Sequence, residues 1–336
     1  MPGISLGTIC ADFANWSTVG GLRHIARAET LRWRIFWSIV CMLMFLLFAM
    51  QVVMLILKLL SKPVDTRTNL VFEKQEFPHA MFCNMNPYKY SAVQSLPAFK
   101  DIAQLMSDLE ALDNGETLDE DPFQLADANL TSIERMNRAT EMLELLSAQM
   151  ADEDRLSATY EFTEMITECS FGNSNCFSEN FTRVLHPTYG ACYAFEGTHN
   201  ITRAGMLYGL RMLLTAQQTL STTGEGDFLP TTNHVGIRMV LYENGSYPNF
   251  DTLGVNLGVG LQTVVAITKA RTERVGPPYG DCVDQDDNNT EYQNYTYTMA
   301  TCFMGCRQRK IIRTCGCASP HLLVPDNATL CSTVED

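Results

Sequence analysis

Polarity along the chain is most uneven between Ile35 and Leu57, which reads IFWSIVCMLMFLLFAMQVVMLIL without a charge. Its polar groups are Ser38, Cys41 and Gln51. As a helix rising ~1.5 Å per residue it extends ~34 Å, enough to cross a hydrocarbon layer about 30 Å thick. A helix packed on the core of a soluble protein keeps a polar face, and this stretch has none. A secretory leader has a shorter apolar core, about 7–15 residues, closed by small residues at a cleavage site. Here the stretch instead runs into Lys58-Leu-Leu-Ser-Lys62. The pattern predicts a retained transmembrane helix over 35–60, an arm over 1–34 before it, and a large body after it.

In the arm, Gly20-Gly21 predicts a loop ahead of a basic juxtamembrane helix that places Arg23, Arg27 and Arg34 near anionic lipid. After the span Pro63 stops the helix, and Leu70 to Phe72 and Ala80 to Cys83 predict short strands. Phe99, Ile102, Leu105, Met106, Leu109 and Leu112 recur at helical spacing, with Ser95 as the cap. An acidic link, Asp113 to Asp121, leads to a second helix from Thr131, where Thr-x-x-Glu134 predicts a capping box. Its apolar face is Ile133, Met136, Leu143, Leu146 and Met150. From Arg203 onward the pattern turns strand-like. Val235, Ile237, Met239 and Leu241 alternate, Tyr242 to Gly245 reads as a turn, and Thr263 to Arg274 as a further strand. The body is α+β.

Basic residues flank the span equally, so charge does not orient it. Cysteines and glycosylation sequons do. All of the 12 cysteines except Cys10 and Cys41 lie in the body. So do seven N-x-S/T sequons, at Asn129, Asn180, Asn200, Asn244, Asn288, Asn294 and Asn327. That combination belongs to an oxidising, glycosylating compartment, so the body is expected outside the plasma membrane and the arm in the cytosol. The arm's own sequon at Asn15 should then stay unmodified. The whole chain carries −14, and because the arm's four arginines outnumber Asp12 and Glu29, the body carries −16. An acidic body excludes nucleic acid as a partner and reads as a solvated surface.

No metalloprotease, nucleophile-elbow, P-loop or dinucleotide fingerprint occurs, so neither an enzyme nor a cofactor is indicated. The densest constellation is Cys302-x3-Cys306, Cys315-x-Cys317 and Cys331. In a reducing compartment such spacing would suit zinc; outside the cell it predicts disulfides. Cys302 and Cys306 share one helix face. Asp281, Asp284, Asp286, Asp287 and Glu291 form an acidic run without the order of a calcium loop.

Five motifs in order resemble the epithelial sodium channel/degenerin family, which includes acid-sensing and peptide-gated members. Phe77-Pro-His-Ala-Met-Phe-Cys83-Asn-Met-Asn-Pro-Tyr88 is similar to its first strand after the membrane. Cys169 to Cys176 resembles its short finger loop, and Tyr189-Gly-Ala-Cys192-Tyr-Ala-Phe195 its Y-G-x-C-Y-x-F motif. Tyr279-Gly-Asp-Cys282, then Cys302-x3-Cys306 with Cys315-Gly-Cys317, resemble the entry to its cysteine-rich thumb. The resemblance implies a subunit, or an N-terminal part of one, of a trimeric, sodium-selective, amiloride-sensitive cation channel, ligand-gated or constitutive. Its partners would be sodium ions, the lipid bilayer, related subunits in a homo- or hetero-trimer, and an extracellular ligand such as a peptide or proton.

The implied fold is a transmembrane α-helix with a disulfide-rich α+β extracellular domain shaped like a hand. Palm, finger and knuckle would occupy 61–280 and an incomplete thumb 281–336. Implied disulfides are Cys83–Cys192, Cys169–Cys176 and Cys317–Cys331. Cys282, Cys302, Cys306 and Cys315 would pair with cysteines further along than Asp336. The arm would line the inner pore, with Gly20-Gly21 standing where the family has His-Gly. Lys62, before Pro63, stands where many relatives have an aromatic that couples the thumb to the membrane helix. No second apolar span follows Leu60. A single-pass extracellular binding or adhesion protein, or a non-conducting regulatory subunit, is the alternative reading.

Overall fold

The computed structural model describes residues 6–18, 20–71, 75–196, 200–201, 203, 205–217, 226–280, 282 and 295–332. The chain divides into two units, residues 1–70 with 272–283, and residues 71–271 with 284–336.

In the first unit, α1 (Leu6–Trp16) and α2 (Leu22–Arg27) precede α3 (Leu31–Leu60), a 30-residue helix with no buried residue. Among the described residues α3 alone is long and apolar enough to cross a membrane. It ends where expected: Ser61 caps it, and Pro63 lies two residues on. The expected basic juxtamembrane helix is instead split. Ala28 and Thr30 take extended backbone, which separates α2 from α3. Helix α1 is a further element that the sequence reading does not include.

In the second unit, the chain runs through β1 (Gln75–Glu76), β2 (His79–Asn84), α4 (Tyr90–Ser95), α5 (Lys100–Asp113), α6 (Ser132–Ala148), α7 (Asp152–Ser157) and α8 (Phe162–Met165). It continues through β3 (Ile166–Phe171), β4 (Ser174–Asn175), β5 (Phe181–His186), β6 (Gly190–Phe195), β7 (Asn200–Ile201) and β8 (Leu210–Leu214). Last come β9 (Gly236–Tyr242), α9 (Phe250–Leu253), β10 (Val255–Gly258) and α10 (Met299–Cys315).

The main sheet is antiparallel, ordered β10-β9-β2-β6-β5. Its strands alternate between two packed faces. Ala80, Phe82, Tyr193, Phe195, Ile237 and Met239 face the small sheet β4-β3-β8. Met81, Cys83, Cys192, Ala194 and Val240 face the other way, towards Phe250. With both faces covered, β2 and β6 read as unbroken apolar runs. That is why strand structure begins well before Arg203, where alternation first shows in the sequence.

The helical layer is held by the expected stripe. Phe99, Ile102, Leu105, Met106 and Leu109 are almost wholly buried, against Ala139 and Leu143 of α6. The Thr131/Glu134 capping box is present. Asn86, fully buried, ties this layer to the sheet. Its amide donates to Tyr88 O and Tyr160 Oη, and its carbonyl accepts from Leu229 N and Thr232 Oγ1.

Several expectations are corrected. Ser95 does not cap α5; it ends α4 and donates to Ala92 O. Pro97 forces Leu96 into extended backbone, and a short 3-10 turn, Pro97–Phe99, intervenes before α5. Ile133 is 72% exposed, so it does not belong to the buried face of α6. Leu70 and Val71 are exposed and form no strand, and Phe72 lies outside the described residues. Thr263 to Arg274 forms no strand, because an apolar pattern makes one only where a neighbour accepts its ladder. Val255–Gly258 takes the sheet edge instead.

Candidate functional site

In the first unit the arm packs on the membrane helix through three small contacts. Gly21 begins α2 with φ +97°, a conformation that favours glycine. A side chain there would run into Cys41 Sγ, and the Cys41 thiol points at Gly20 O, 4.0 Å away. One turn nearer the arm, the His24 ring stacks on Trp37, centroids 4.5 Å apart and 18° from parallel. Both glycines singled out in the sequence therefore sit against α3. Cys41 and His24 were not anticipated, since nothing in a linear pattern pairs a mid-helix thiol with a loop.

At the other end of α3, Lys62 holds φ +44°, unusual for a residue with a Cβ. Its ammonium donates to Pro278 O at 2.7 Å. Pro278 lies in a tight turn in which Gly276 O accepts from both Tyr279 N and Gly280 N. Lys62, singled out in the sequence as a departure, thus makes a charged hydrogen bond, and Pro63 follows directly.

In the second unit three disulfides are formed. Cys83–Cys192 crosses β2 and β6 at one register position, Cys169–Cys176 closes the β3-β4 hairpin, and Cys317–Cys331 staples the segment after α10. Cys302, Cys306 and Cys315 lie on α10 and are unpaired, as is Cys282. Among the described residues no three His, Cys, Asp or Glu gather to hold a metal. Asn129, Asn180, Asn244 and Asn327 are exposed. The side chain of Asn200 lies outside the described residues, as do Asn288, Asn294 and the whole acidic run.

A cluster absent from any sequence motif joins three elements. His321 Nδ1 lies 3.3 Å from Glu144 Oε2 and 3.1 Å from Thr188 Oγ1. Its Nε2 lies 3.4 Å from Asp251 Oδ2. Hydrogen bonding to Glu144, opposed by partial burial, keeps His321 protonated above the ordinary histidine range. Nearby His186 packs on Tyr189 and Phe250. Loss of water, with the His321 charge adding to it, pushes His186 down to about 4.

Residues 13–335 match the family model described as amiloride-sensitive sodium channel. The chain belongs to that family. Within the amiloride-sensitive sodium channel family, the chain is 37% identical over 332 residues to the degenerin-like protein asic-2 of Caenorhabditis elegans, covering 97% of this chain and 61% of that one. It is 32% identical over 200 residues to degenerin mec-4 of Caenorhabditis briggsae, covering 58% and 25%. It is 24% identical over 405 residues to epithelial sodium channel subunit gamma-2 of Xenopus laevis, covering 96% and 60%. The chain therefore spans 61% of the length of asic-2 and 60% of that of gamma-2. As a member of a family of membrane channel proteins, it combines an apolar N-terminal helix with a sheet-containing, disulfide-bonded body.

Proposed function

We propose that this chain is a subunit, or the N-terminal part of a subunit, of a trimeric, sodium-selective, amiloride-sensitive cation channel in the plasma membrane. One observation carries the reading: the family match runs from the arm through the membrane helix and the whole body. The arm lies in the cytosol with Gly20 and Gly21 at the inner end of the pore, and the body lies outside, glycosylated at its sequons. Residues 61–280 form palm, finger and knuckle, and 281–336 enter the thumb. Lys62 and Pro63 couple the turn at Pro278 to the membrane helix. The supporting geometry is the 2.7 Å hydrogen bond from Lys62, whose strained φ persists only where surroundings hold it. Gating is by an extracellular ligand or is constitutive.

The test is assembly. The tagged chain, co-expressed with a conducting relative, should be captured from the cell surface in three-subunit complexes containing both. A chain that reaches the surface only by itself supports the single-pass binding protein instead.

A further inference from the structure

A cleft of about 210 Å³ opens in the second unit, between α6, the turn after β2 and the turn joining β5 to β6. Its walls combine two kinds of surface. Met85, Pro87, Leu143 and Pro187 offer hydrocarbon, and Tyr189 lines it as well. Glu144 brings the one negative charge among the lining residues, and no lining residue carries a permanent positive charge. The Glu144 side chain is only 15% exposed, so its charge is poorly screened. Among the described residues no hydrogen bond reaches its Oε1.

We propose that this cleft is a binding site for a small organic ammonium ion bearing a short apolar or aromatic arm, with Glu144 as its counter-ion and His321 as its competitor. The ammonium would donate to Glu144 and to the neighbouring Thr140 hydroxyl, which keeps acceptor capacity after donating to Met136 O. Tyrosine faces attract a cation, and the prolines and Met85 take the hydrocarbon arm. A carboxylate or phosphate ligand would meet the Glu144 charge and is disfavoured.

His321 makes the site pH-dependent. Below its pKa the imidazolium occupies Glu144 from outside the cleft; above it, Glu144 is left to the ligand. Groups acting on His321 are Glu144 from α6, Asp251 from α9, and Thr188 and His186 from the β5-β6 hairpin, with Arg155 of α7 acting through His186. Binding should therefore tighten as pH rises, opposite to a site that needs a protonated histidine. His234 also lines the cleft, so two histidines lie near the site. The His321 variant separates the two.

Titration calorimetry of the full chain in lipid nanodiscs, against empty nanodiscs, tests this with phenethylammonium and its uncharged isostere, phenethyl alcohol. The ammonium should bind roughly tenfold or more tighter than the alcohol, a preference lost in Glu144→Gln. It should bind several-fold tighter at pH 8.5 than at pH 6, and His321→Gln should flatten most of that dependence. Equal binding of ammonium and alcohol to the unmutated chain overturns the proposal without needing any variant to fold. So does a preference that survives Glu144→Gln, or an affinity that falls as pH rises. Binding is read without current, so failure here leaves the channel reading standing, and the reverse also holds.

Discussion

Cys83 and Cys192 face each other across β2 and β6 with Cα atoms 4.3 Å apart, although 109 residues separate them in the chain. Such close approach belongs to antiparallel pairs that do not exchange ladder bonds, where side chains lie nearest. The bond closes helices α4 to α8 and strands β3, β4 and β5 into one loop. By the chain-entropy model it contributes up to ~4–5 kcal/mol. Replacing both cysteines with alanine should lower stability by several kcal/mol in denaturant titration of the chain. A change below about 1 kcal/mol would mean the sheet core holds that register without the link.

The two central histidines should pull stability in opposite directions with pH. His321 has a raised folded pKa, so its contribution is complete below the unfolded value of 6.5 and is lost as pH rises through the folded pKa. His186 is pushed down to about 4, so it must stay neutral, and its contribution fades as pH falls from 6.5 towards 4. The melting temperature lost on His321→Gln should be larger at pH 6 than at pH 9. His186→Phe should instead gain relative to the unmutated chain as pH falls from 7 to 5. Equal losses for His321→Gln at both pH values would show that His321 is not charged in the fold.

Much of this fold is legible in the sequence where one physical constraint acts alone. Lipid demands an apolar run, and α3 has one. A half-buried helix demands 3.6 spacing, and the stripe from Phe99 to Leu109 obeys it. Alternation marks Val235 to Leu241, where Ile237 and Met239 share one packed face. Legibility fails where two neighbours act at once. Strands β2 and β6 are covered on both faces, so Met81, Phe82, Tyr193 and Ala194 give no period; the short run Ala80 to Cys83 still reads as a strand, whereas Gly190 to Phe195 does not. Thr263 to Arg274 reads as a strand and forms none. The Glu144–His321–Asp251 cluster joins residues from three elements, and no local pattern carries that information. Lys62 was legible as a departure, but its hydrogen bond to Pro278 was not.

Gly21 should tolerate no side chain. Alanine there would pay for a left-handed backbone by ~1–2 kcal/mol and would collide with Cys41 Sγ. Gly21→Ala should loosen the arm from α3 and raise the rate at which a membrane-permeant maleimide labels Cys41. Cys41→Ala should restore part of the packing in the double variant, seen as recovered protease resistance of the arm, but not the backbone cost. Unchanged Cys41 labelling in Gly21→Ala would mean the arm does not rest on the helix.

Glycan should be confined to the body. Asn129, Asn180, Asn244 and Asn327 present exposed side chains, whereas Asn15 lies in the arm and accepts from Arg27 Nε. Glycosidase should reduce the mass of the cell-expressed chain, and Asn15→Gln should leave that shift unaltered. Glycan mapped to Asn15 would reverse the orientation proposed for the arm.

The most direct measurement of the channel assignment is whole-cell current in cells that express a conducting relative with and without this chain. The polypeptide 1–336 alone should carry no amiloride-blockable sodium current, because the polar side chains of the uncharged stretch from Ile35 to Leu57 are those of Ser38, Cys41 and Gln51, too few to line a wet path. Together with the relative, it should change the amplitude of the amiloride-blockable current or its sodium-to-potassium preference. Lys62→Met should alter that effect while leaving surface amount unchanged. A chain present at the surface beside the relative, with current identical in size, block and selectivity to that of the relative alone, would contradict the account.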